Sequence, residues 1–149
     1  MSNTSHRTSI FHRTALLISM FCLGGTAYSL IEILWRGHSH WSMFLVGGAG
    51  FLLVGRVQRT MAHLPRLYRC ALCAIGISAL EFASGCVLNL IWKLDVWDYT
   101  MMPLNLLGQV CLLYSMLWCL LSLPAMWLYR RCLGALNQHL NAVSAENTP

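Results

Sequence analysis

Charge is what this sequence has least of. Only 10% of its 149 residues are charged, five of them acidic, against about 25% in a typical soluble domain. A soluble domain of this length needs far more charged surface, because most of its residues touch water. That class is excluded, and the 57% hydrophobic content points to lipid as the surrounding solvent. A GxxxxGK[ST] phosphate loop is also absent, so nothing in the chain is expected to hydrolyse ATP. The net charge of +5 sits in short clusters between apolar runs, not along one helix face, which argues against nucleic acid as a partner.

Cysteine is not scarce, but its placement excludes a disulfide framework. All seven, at 22, 70, 73, 86, 111, 119 and 132, fall within or at the end of apolar segments. The CxxC of Cys70 and Cys73 has no second pair at zinc-site spacing, and His38 and His40 have no third ligand, so no metal is expected. No nucleophile and base stand at a recognisable spacing, so neither an enzyme nor a cofactor is expected.

What is present is four long apolar runs. Polar residues 1–13 precede a first span at about 14–35. Tyr28, Glu32, Trp35 and Arg36 close that span, where a cleaved signal peptide would show small residues. A second, glycine-rich span covers about 41–55, and Gly47, Gly48, Gly50 and Gly55 suit close helix packing. The basic stretch Arg56 to Arg69, with Pro65, leads to a third span at about 70–92. The run from Tyr99 to Tyr129 carries no charge, and Pro103 followed by Asn105 places a structured or re-entrant outer loop before a fourth span at about 105–129. Residues 132–149 read as a disordered tail. Arg7, Arg13, Arg56, Arg59, Arg66, Arg69, Arg130 and Arg131 lie on one side of this arrangement and only Arg36 and Lys93 on the other. Both termini are therefore expected in the cytoplasm. The expected fold is an all-α integral membrane protein of four transmembrane helices in the lipid bilayer.

Against that background the polar residues inside the spans stand out. An acid at mid-helix depth costs about 2.5–3.5 kcal/mol on insertion scales, and Glu81 is such an acid. At helical spacing Ser78, Glu81, Gly85 and Asn89 form one small and polar stripe, which must face protein or water. Two readings fit Glu81: a buried acid hydrogen-bonded to a neighbouring helix, or a substrate or proton site. Glu32 and Arg36, one turn apart, can pair or snorkel to water. Asn105, Gly108, Ser115, Cys119 and Ser122 form a further stripe assigned to the fourth span. Asn105 and Gln109 either tie down the preceding loop or line a polar cavity. The outer connection, with Trp97, Asp98, Tyr99 and Pro103, fits either an interfacial anchor or an ordered binding loop.

The stretch EFASGCVLNLIWKLDVWDYTMMPLNLLGQVCLLYSMLW, Glu81 to Trp118, closely resembles the bacterial membrane protein family named Putative ABC-transporter type IV, or CmpB-like permeases. The shared pattern comprises Glu81, Phe82, Gly85, Trp97, Asp98, Tyr99, Pro103, Asn105, Gly108, Ser115 and Trp118, and the resemblance covers the last third to half of the chain. The first span, with Tyr28 and Glu32, looks like the family's opening helix. The short RGHSHWSMFLVGG segment departs from the family's longer Gly and Pro rich stretch, and Thr100 stands where the family commonly has serine.

The resemblance implies a small permease or transporter-like subunit of the bacterial cytoplasmic membrane. It would act as a homo-oligomer or with other membrane subunits, and a separate ATPase subunit would contact the Arg56 to Arg69 loop. Glu81, Asn89, Glu32, Asn105 and Gln109 are its candidate polar site, and Gly85, Gly108 and Ser115 its packing positions. The alternative is a non-transporting scaffold or regulatory subunit of a larger complex.

Overall fold

The computed structural model describes residues 2–146 and the side chains of residues 10–139. Four helices dominate it: α1 (Ser2–Arg36), α2 (Trp41–Thr60), α3 (Arg66–Gly85) and α4 (Leu112–Glu146). They supply four segments long and apolar enough to cross a membrane, at Ile10–Arg36, Trp41–Thr60, Arg66–Ile91 (α3 with the turn that continues it) and Leu112–His139. Large apolar side chains such as Leu34, Ile75, Met116, Leu120 and Trp127 point outward. In water that surface would be a liability, but around a bundle of spanning helices it is the lipid-facing coat. The protein is a four-helix integral membrane protein.

Local chemistry sets the helix boundaries. The extended backbone of His40 (φ −108°, ψ 146°) opens α2, and its ring nitrogen accepts from the Ser42 amide. Pro65, which has no N–H to donate, precedes α3. At its other end α3 widens into a π-helical turn, Cys86–Ile91. A loop then runs to a small antiparallel hairpin of β1 (Asn105–Leu106) and β2 (Val110–Cys111), pairing Asn105 with Cys111 and Leu106 with Val110.

Helix α2 touches the other three helices, whereas α1 and α3 sit at opposite corners. One apolar core joins Val54, Cys70, Cys73, Ile77 and Met126, and a second joins Met20, Phe51 and Tyr129. Tyr28 covers Gly47 and Tyr129 covers Gly55, where a Cβ would collide with those side chains. Gly47, Gly48 and Gly55 thus pack as small residues, whereas Gly50 has room for a side chain. A third cluster, Met43, Leu88 and Trp97, lies at the hairpin end.

Several boundaries differ from the sequence reading: α2 runs on to Thr60 and α3 starts at Arg66, so the expected Arg56 to Arg69 loop shrinks to a turn at 61–65. The fourth span begins at Leu112, so Asn105, Gly108 and Gln109 belong to the hairpin loop and share no helical stripe with Ser115. Cys111, expected in a span, lies on β2. Helix α4 also continues through much of the expected tail to Glu146. Leu133 and Leu136, one turn apart, pack against the cluster around Met20 and Tyr129, which supports the helix there.

Candidate functional site

Glu81 is 2% exposed and lies on the face of α3 that meets α4. Its Oε2 accepts a hydrogen bond from Trp118 Nε1 at 2.8 Å. On the same pair of helices Ser78 donates to Ser115 at 2.7 Å, so the polar stripe of α3 is matched by polar partners on α4. Trp118 also packs on Tyr28 of α1, with ring centroids 5.4 Å apart. One indole therefore links α1 and α3, the two helices at opposite corners.

About ten residues, or about 15 Å of helix, separate Glu81 from the end of the π turn, and a hydrogen-bonded plug closes the bundle there. The wider turn presents Asn89 to the loop. Its amide donates to the Trp97 carbonyl (2.9 Å) and to Gln109 Oε1 (2.8 Å), and its Oδ1 accepts from the Val96 amide (2.8 Å). The Trp97 indole donates to the Gln109 carbonyl (2.9 Å), and Gln109 Nε2 donates to the Leu107 carbonyl. Asn89, Trp97 and Gln109 are all buried, so each bond replaces water that could not reach them. Gly85 makes room for the plug: a Cβ there would meet Gln109 Oε1 at 2.5 Å and the Trp97 ring at 3.0 Å.

The rest of the loop folds around this plug. Asp98 accepts from the Thr100 amide and hydroxyl, and Asn105 accepts from the Gly108 amide while donating to the Thr100 and Met102 carbonyls. The Tyr99 amide donates to the Gly108 carbonyl, and the Tyr99 ring stacks on Tyr114 at 4.8 Å. Burial pushes the Tyr99 phenol well above its usual titration range, and the Glu81 charge adds to the effect. Lys93, Asp95, Leu104 and Leu107 adopt positive φ, as does Gly108. Left-handed backbone at four residues other than glycine costs on the order of 1–3 kcal/mol each, so the surrounding contacts must hold the loop in one shape. The end of α1 adds a strap: Arg36 pairs with the buried Glu32 at 2.8 Å and donates to the Val96 carbonyl at 2.8 Å, while Ser39 donates to the other Glu32 oxygen.

Below the plug, residues of α1, α2 and α4 line a cleft of ≈ 290 Å³ that is almost wholly apolar. Trp118 and Tyr28 line it, so Glu81 lies one indole away. Among the described residues, no three His, Cys, Asp or Glu side chains converge as metal ligands would.

The structure thus divides the sequence-derived candidates into two groups. Asn89, Gln109, Trp97, Asp98, Asn105, Gly85 and Gly108 gather in and around the plug, with Glu32 strapped to it through Arg36. Glu81 lies deeper, with Ser115 beside it on α4. Pro103 stays exposed at the loop tip. Sequence reasoning did not single out Trp118 or Tyr28 as partners of Glu81. The available signal was that Trp118 stands nearly two turns inside its span, away from the boundary where tryptophan usually sits.

The chain matches the family model described as Putative ABC-transporter type IV over residues 4–146, nearly its full length, and belongs to that family. The match extends well beyond the segment whose motifs suggested it. Neither the curated proteins nor the solved structures yield a match to the chain.

Proposed function

From its membership of this ABC-transporter-related membrane family, we propose that the chain is a small permease-like subunit whose polar site is centred on Glu81. The observation that carries this reading is the carboxyl group itself, buried inside the bundle at mid-span and hydrogen-bonded to Trp118. Placing an ionisable group there costs stability, and such groups in spanning helices commonly mark ion, proton or substrate pathways. In this reading Glu81 exchanges a proton or bonds a polar group of the substrate, and the Trp97 to Gln109 plug gates the outer mouth. The orientation is that of the arginine distribution, with both termini and the 61–65 turn in the cytoplasm of a bacterial cell. The chain hydrolyses no ATP itself. It assembles with other membrane subunits or copies of itself, and a separate ATPase binds the arginines flanking that turn.

Membrane vesicles carrying the tagged chain and its co-purifying subunits test the proposal against a mixture of solutes, so no single substrate need be chosen. Vesicles are energised with ATP in a small-molecule cell extract, and the accumulated solutes are identified by mass spectrometry. Wild type is expected to accumulate at least one solute class that Glu81→Gln vesicles do not, with equal amounts of assembled protein. Unchanged accumulation in Glu81→Gln would remove Glu81 from the mechanism. A second reading, a scaffold or regulatory subunit without flux, draws on the tightness of the plug. It is distinguished by specific co-purifying subunits and no accumulation in wild type.

A further inference from the structure

We propose that the cleft between α1 and α4 is a binding site for one acyl chain of a membrane lipid. Its walls are Ala27 and Ile31 of α1 and Leu121 and Ala125 of α4, its floor is Gly50 of α2, and Trp118 closes one end. Ile31 and Leu121 are exposed at its rim, so the cleft opens sideways, at the depth where the four spans meet hydrocarbon.

The occupant follows from chemistry and size. A cleft of ≈ 290 Å³ lined by apolar groups does not favour water. A linear hydrocarbon tail is thin enough and lies alongside the rim in any bilayer. Along α4 the cleft runs from Trp118 to Leu128, about 15 Å of a core about 30 Å thick. That is the reach of the terminal half of a tail. Pro124, which lines the same wall, cannot donate to the Leu120 carbonyl one turn earlier, so α4 is free to bend away from α1 here. This site does not depend on the transport reading, since a lipid bound for structural reasons would occupy it equally.

The test uses the full chain in liposomes containing a phospholipid with a photoreactive diazirine near the end of one acyl tail. After irradiation, labelled residues are mapped by mass spectrometry. Label is expected to concentrate on Ala27 to Ile31 and Leu121 to Ala125, in excess of outward residues such as Leu113 and Met116. Gly50→Leu grows from the floor into the cleft, where the nearest neighbour of an added Cβ is Ile77 at 3.7 Å. It is expected to lower cleft labelling about tenfold, the equivalent of roughly two methylenes of lost contact, and to leave Met116 labelling unchanged. Ala125→Leu should act in the same direction from the opposite wall. The wild-type map stands even where a variant folds poorly. Labelling spread evenly over the outward faces, or cross-links between copies through Ile31 and Leu121 in place of lipid label, would overturn the assignment.

Discussion

Replacing Asn89 with alanine should unlock the plug while leaving the bundle intact. Asn89 makes three hydrogen bonds, to the Trp97 carbonyl, to Gln109 Oε1 and from the Val96 amide. Its removal orphans all three partners, and two of them belong to residues that are themselves buried. At about 0.6 kcal/mol per bond in membrane proteins and about 1.5 kcal/mol for a well-buried bond, the three together cost about 2–4.5 kcal/mol. Asn105→Ala is the matched comparison. It also removes three bonds, but one is exposed and two are only part-buried, so water replaces them in part and the cost should be clearly lower than for Asn89→Ala. Equilibrium unfolding in mixed micelles gives the two energies, and hydrogen exchange over residues 93–111 shows whether the loss is local. The reasoning is refuted if Asn105→Ala costs as much as Asn89→Ala, or if Asn89→Ala leaves exchange of the Val96 and Trp97 amides unchanged.

Other perturbations separate the supports of the plug. Gly85→Val should destabilise by about 1–3 kcal/mol through overpacking against Gln109 and Trp97, read as a lower unfolding midpoint and faster proteolysis of the loop. Gly108→Ala should cost about 1 kcal/mol or more, because φ is +68° and the new methyl meets Thr100 Cγ2 at 2.6 Å; the same unfolding assay checks it. Arg36→Gln should cost more than the about 1 kcal/mol of an exposed ion pair, since it leaves the buried Glu32 carboxyl with Ser39 as its remaining partner; the same unfolding assay checks it. It should also speed exchange around Val96, whose carbonyl loses its donor.

Much of the bundle was legible in the sequence because spans are written in run length and charge. Arg36, the arginines flanking Pro65, and Arg130 with Arg131 all lie at or near the ends of long apolar runs. Glu81 was conspicuous for the same reason, as the one acid at mid-span. The hairpin was not legible. Its leucines and methionines prolong the uncharged run into α4, and Asn105 after Pro103 has the look of a helix start. In the structure the Asn105 side chain instead satisfies the loop's own amide and carbonyls, which propensity cannot distinguish from capping. The π turn that presents Asn89 is likewise marked by no residue type. The helical tail was hidden because polar residues around Leu133 and Leu136 obscured their one-sided spacing.

The hydrogen bond between Trp118 and Glu81 is the point on which the polar site rests, and nuclear magnetic resonance of the chain labelled with ¹⁵N-tryptophan observes it directly. The sequence has six tryptophans, so six indole signals are available, and Trp118→Phe assigns the relevant one. That signal is expected to lie downfield, to resist exchange with water, and to move markedly in Glu81→Leu while the other five hold their positions. A Trp118 indole that exchanges freely and is indifferent to Glu81→Leu would contradict an acid held by this partner within the bundle.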